Sequence, residues 1–162
     1  MQLQEDFITI RDSETFKEFL NSTYLISCFL DDIESKKRWE YNFYQEANKE
    51  ILSFSVENAA IVFSGKSPPV NPQHFPQILP LEELKSEQED IFNAMRREFL
   101  KEYTQDKVLK IFTILEKHED IVWSFLILLK NLNVIHMKIN DRTQEDIENS
   151  SISMIKKEKG GN

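Results

Sequence analysis

Gly65-Lys66-Ser67-Pro68-Pro69-Val70-Asn71-Pro72-Gln73-His74-Phe75-Pro76-Gln77-Ile78-Leu79-Pro80 holds all five prolines of this 162-residue chain and its only glycine outside the C-terminus. Proline fixes φ, lacks a backbone N–H and disfavours helix in the residue before it, so this stretch interrupts both helix and sheet. It divides the chain into two unlike halves. Val70, Phe75, Ile78 and Leu79 give it apolar side chains to bury, which predicts an ordered strap over residues 65–80 rather than a free linker. Pro69-Val70-Asn71-Pro72 also has the minimal spacing of a polyproline ligand, with Lys66 as its only nearby cation.

Before the strap, the apolar pattern predicts a β-α-β-α-β half over residues 6–64. Phe7 to Ile10 reads as a strand. Asp12 and Ser13 offer N-caps for a short helix that buries Phe16, Phe19 and Leu20. Tyr24 to Leu30 is a nearly continuous apolar run, the signature of a buried strand. Trp39, Phe43, Ala47, Ile51 and Phe54 then recur at helical spacing, which predicts an amphipathic helix from Ile33 to about Leu52. Ala59 to Phe63 completes the order as a strand, and strands joined this way run parallel through right-handed crossovers.

Beyond the strap, residues 81–133 read as three helices. The first places Leu84, Ile91, Met95, Phe99 and Tyr103 on one face. The second starts at Asp106 and ends near His118. The third, Ile121 to Leu129, is apolar all round and far shorter than a membrane span, so it is expected at the centre of the fold. Val134 to Ile139 alternates as a half-buried strand. Residues 140–162 read as a flexible polar tail. The predicted fold is therefore α/β or α+β: one globular domain over 1–139 with a sheet of about four strands, an N-terminal amphipathic helix and a three-helix C-terminal region. No repeat is visible in the sequence.

Composition narrows function. Hydrophobic residues are 40% of the chain and twelve are Phe, enough for a dense core. Acidic residues number 28 against 20 basic, a net charge of -8 that repels phosphate backbones and anionic membranes. The single cysteine, Cys28, rules out an internal disulfide, and with no basic, apolar leader at the N-terminus the expected compartment is cytoplasm or nucleus.

Candidate chemistry is sparse. Ala60 to Ser67 approaches the phosphate-loop pattern, but its first glycine is Ala60 and prolines stand where a helix should follow. His74, His118 and His136 lack ligand spacing, and Cys28 sits in an apolar strand as a packing thiol. Asp31, Asp32 and Glu34 cluster after a strand, where a divalent cation could bind, although a helix cap explains them as simply. No cofactor is implied. The reading that follows is a non-catalytic protein–protein interaction module, an adaptor, regulator or complex subunit whose partner is a protein with a basic surface. Trp39, Tyr41, Tyr44, Phe75 and Trp123 are its candidate anchors. Two alternatives remain: a nucleic-acid-associated regulator with a winged-helix-like C-terminal half, and a small metal-dependent enzyme using Asp31, Asp32 and Glu34.

Overall fold

The computed structural model describes residues 2–19, 21–33, 36–69 and 76–154. Helix α1 (Gln2–Arg11) and the single turn α2 (Glu14–Lys17) precede four strands: β1 (Thr23–Ile33), β2 (Lys36–Gln45), β3 (Glu50–Glu57) and β4 (Ala60–Ser67). After the proline-rich segment come a 3-10 turn (Leu81–Glu83), helix α3 (Gln88–Glu102) and four more strands. These are β5 (Val108–Lys117), β6 (Ile121–Leu129), β7 (Asn133–Asn140) and β8 (Asp146–Ser153). All eight strands form one sheet in the order β4-β3-β2-β1-β5-β6-β7-β8, and every neighbouring pair is antiparallel.

This overturns the expected small sheet with a three-helix C-terminal region. Phe7 to Ile10 lies in α1, the described residues from Ile33 to Leu52 are the end of β1, β2, a turn and the start of β3, and the segments around 106–118 and 121–129 are β5 and β6. Residues 146–153, expected within a polar tail, form β8. The reasons are local. Trp39, Phe43, Ala47 and Ile51 are four apart, a spacing that is nearly helical but also a multiple of two. Trp39, Tyr41 and Phe43 all face the core, so the period is that of a strand. Ile121 to Leu129 is rich in β-branched and aromatic residues, and because its second face carries Val122, Leu126 and Leu128 opposite the core residues Trp123, Phe125 and Ile127, the period of two is hidden in the sequence.

The helices pack on one face only. Leu3 and Ile10 of α1, Phe16 of α2 and Ile91, Met95 and Phe99 of α3 belong to one core with Leu30, Trp39, Tyr41, Phe54, Leu115, Trp123, Phe125 and Met137 of the sheet. Phe16 meets Phe43 and Phe54 with ring centroids 4.5 and 5.4 Å apart, and Phe92 meets Phe125 edge-on at 5.3 Å. Ser13 caps α2 by accepting from the Phe16 N–H at 3.0 Å.

An internal repeat is present in architecture although not in sequence. Each half is helix followed by a four-stranded meander, and β1 and β5 pair antiparallel at the middle, so a pseudo-twofold axis normal to the sheet relates the halves. Core positions correspond along the chain: Cys28 and Leu30 with Thr113 and Leu115, Trp39 and Tyr41 with Trp123 and Phe125, Leu52 and Phe54 with Ile135 and Met137. The matched residues lie 83 to 85 positions apart. Even irregularities match, because the ladder slips between Leu25 and Ser27 in β1 and between Val108 and Lys110 in β5.

The proline-rich segment links the outer strand β4 back to the central half. Within its described part, Leu79 is buried and donates its N–H to the Leu25 carbonyl at 2.8 Å, while Tyr24 Oη donates to the Pro76 carbonyl at 3.4 Å. Phe75 and the PxxP residues Val70, Asn71 and Pro72 lie outside the described residues.

Candidate functional site: two unlike faces

Because helices cover only one side of the sheet, the molecule has a helical face and an open sheet face. The helical segments hold Glu5, Asp6, Asp12, Glu14, Glu18, Glu82, Glu83, Glu87, Glu89, Asp90, Glu98 and Glu102 against Arg11, Lys17, Lys85, Arg96, Arg97 and Lys101. Twelve acids against six bases place six of the eight excess negative charges in this layer. The crowding is felt locally. Burial raises the Asp6 carboxyl above the usual carboxylate range, and Glu5 beside it adds to the rise. Burial likewise raises Asp146; a backbone hydrogen bond from Glu148 opposes the shift, and the charges of Glu98 and Glu102 reinforce it.

The open face differs. Phe29, Phe112, Ile114, Leu126, Leu128 and Val134 form adjoining rows across β1, β5, β6 and β7, and no described helix or strand covers them. Phe29 stacks on Phe112 at 5.9 Å. Lys110 Nζ lies 4.4 Å from the Phe112 ring centroid and 3.0 Å from Asp31 Oδ1. On β7 and β8, Glu148 takes Lys138 at 2.7 Å and His136 at 3.3 Å. The hydrogen bond from Lys138 and the nearby cations hold the Glu148 carboxyl below its ordinary value.

At one end of the sheet, the turn after β7, the β5–β6 hairpin and the segment before α3 enclose a cleft of about 340 Å³. Its floor is Asp141, which the sequence did not single out. The buried Asp141 accepts from Trp123 Nε1 at 3.0 Å and from the Lys85 N–H at 2.6 Å, and its own carbonyl accepts from Ser86 Oγ. Asn140 Oδ1 accepts from the Arg142 and Thr143 N–H groups at 2.9 and 3.1 Å. Both carboxylate oxygens of Asp141 are thus committed to holding the β7–β8 turn against α3's leading segment. A polar pair ending a strand was the only sequence signal, and it reads equally as an ordinary turn.

The structure places the sequence-derived candidates as follows. Trp39, Tyr41, Tyr44 and Trp123 are buried, and Tyr41 Oη donates to the Leu3 carbonyl at 2.8 Å, so these rings build the molecule instead of facing a partner. Asp31 pairs with Lys110, while the side chain of Asp32 and all of Glu34 fall outside the described residues. Among the described residues, no group of three or more His, Cys, Asp or Glu is arranged to share a metal ion. Cys28 is buried, and burial pushes its thiol up, away from nucleophilic use. The phosphate-loop resemblance resolves into β4, an edge strand. No helix among the described residues is long and apolar enough to cross a membrane. Compared with known proteins, the chain matches no family model, no curated protein and no solved structure.

Proposed function

We propose that this chain is a non-catalytic interaction module whose acidic helical layer docks the basic surface of another protein. The observation that carries the reading is the segregation of charge: six of eight excess negative charges sit on the helical segments. Such a face steers a basic partner into contact and rejects acidic ones. The buried aromatics no longer enter the reading, and the anchors are the exposed carboxylates of the 3-10 turn and the start of α3.

The winged-helix alternative loses its motif, because the segment bearing Lys107, Lys110 and Lys117 leads into and forms a strand, and Lys110 is paired with Asp31. The metal-enzyme alternative gains no observation from Asp31.

The test is to identify partners by cross-linking in native lysate and then measure the purified pair by calorimetry. Binding should weaken steeply as salt rises from roughly 0.05 to 0.3 M. A variant with Glu82, Glu83, Glu87, Glu89 and Asp90 changed to their amides should lose most of it. Binding that is insensitive to both salt and these changes rejects the reading.

A further inference from the structure

We infer that the open face of the sheet is where two copies of this chain meet, pairing sheet against sheet with their acidic helical layers outward. This goes beyond the proposed docking of a basic protein and uses the opposite face.

Three observations carry it. The first is apolar continuity. Ile152, Val134 and Leu128 are successive partners across β8, β7 and β6, and Leu126, Phe112 and Phe29 extend the patch towards the middle of the sheet. Its outer corner is bare, with Ile152 65% and Met154 64% exposed, and Met154 is fixed there by its N–H donating to the Leu132 carbonyl. Phe29, Phe112, Leu126, Leu128 and Val134 are half-buried, so the exposed corner continues into partly exposed apolar surface of the kind that marks interaction sites.

The second is charge. Among the described residues on the open face of β1 and β5 to β8, every charged side chain has a hydrogen-bonding or ion-pair partner in the same chain. Asp31 holds Lys110, Glu148 holds Lys138 and His136, and Glu116 holds His118 at 3.0 Å. Among the described residues a basic partner finds only Glu116 without a permanent cation beside it, so a second copy meets little unpaired like charge. Packed sheets lie about 10 Å apart and each helical layer adds about 10 Å more, so the acidic layers of two copies stand roughly 30 Å apart, well beyond the ~8 Å screening length.

The third is area. Five strands spaced about 4.8 Å, each about eight residues long at ~3.4 Å per residue, give a footprint of about 650 Å² per copy. The pair therefore buries up to about 1,300 Å², which reaches the lower end of the range of stable specific interfaces.

Sedimentation equilibrium from about 1 to 200 µM tests this, a span chosen to bracket ordinary dimer affinities. The native chain should reach twice the monomer mass. The double variant Ile152→Lys, Met154→Lys should raise the dissociation constant at least about tenfold, because two desolvated ammonium groups enter each half of the interface. Leu100→Lys, at a 55% exposed site on α3, should leave the dimer unchanged. A native chain that stays monomeric throughout overturns the inference. So does a dimer that survives the double variant or is broken by Leu100→Lys. Should the double variant fail to fold, acetylation of the native chain decides: Lys110 and Lys138 should react several-fold more slowly at high concentration while Lys17 and Lys101 do not change, and uniform reactivity overturns the inference.

Discussion

Trp39 and Trp123 meet edge to face, with ring centroids 6.1 Å apart and planes at 74°, although β2 and β6 are separated by β1 and β5. The two rings occupy equivalent places about the pseudo-twofold axis. Across the rows that they end, the strands between contribute Leu30 and Leu115, with the small Cys28 and Thr113 beside them. Small residues at the middle let two large ones touch over it. The contact is therefore a direct weld between the halves.

Because Trp123 Nε1 is bound by Asp141, the weld is tied to the β7–β8 turn. Asp141→Ala strips the acceptor from the buried indole and from the part-buried Lys85 N–H, and should cost about 2–6 kcal/mol at about 1–3 per orphaned group. Urea unfolding followed by tryptophan emission will show it. Asp141→Asn, which keeps one acceptor oxygen, should cost less than the alanine change.

Alkaline pH should destabilise the fold. The thiol of Cys28 and the phenol of Tyr41 are both raised by burial, so the folded state holds these protons more tightly than the unfolded chain does. Stability from this source is complete below the unfolded values of 9.0 and 10.0 and falls as pH rises above them. The slope should approach about 1.4 kcal/mol per pH unit for each group. Cys28→Ala should flatten the first part of the fall. A melting temperature that does not change between pH 7 and pH 10.5 contradicts the account.

Asn58 and Ala59 form the two-residue β3–β4 turn with φ of 49° and 64°. A left-handed conformation costs an alanine roughly 1 kcal/mol that glycine does not pay. Ala59→Gly should raise stability by about 0.5–1 kcal/mol, visible as a higher denaturation midpoint.

In the strap, neighbouring residues should respond oppositely. Leu79 is 2% exposed and Ile78 60%. Leu79→Ala should cost about 2–4 kcal/mol, whereas Ile78→Lys should fall within about 0.5 kcal/mol of the native chain. Thermal denaturation of the two variants side by side gives the comparison.

What was legible in the sequence follows from which physical signals were unambiguous. Tyr24 to Leu30 was legible as a strand because its apolar run is short and bounded by polar residues, and α3 because Ile91, Met95 and Phe99 keep to one helical face. The pattern at Val134 to Ile139 was legible because strict alternation has one meaning. Trp39 and Phe43 misled because spacing by four fits both periods, and Tyr41 between them was the deciding residue. Asp146 to Ser153 hid because an edge strand exposed on both faces needs no apolar pattern, only backbone partners on β7. Trp39, Tyr41, Tyr44 and Trp123 are buried although the sequence offers them as anchors, since an aromatic residue has the same composition signature at an interface and in a core. Asp141 could not be found at all, for its partners Trp123 and Lys85 are distant in sequence.

The ladder between β1 and β5 runs only from Ser27↔Glu116 to Asp31↔Phe112, yet it closes a loop of about eighty residues. Every other strand pairing is a hairpin between sequence neighbours, cheap to nucleate and quick to form. Folding is therefore expected to run as two fast local events followed by one slow docking step. Substitutions along that short central seam should change the folding rate more than those in any hairpin.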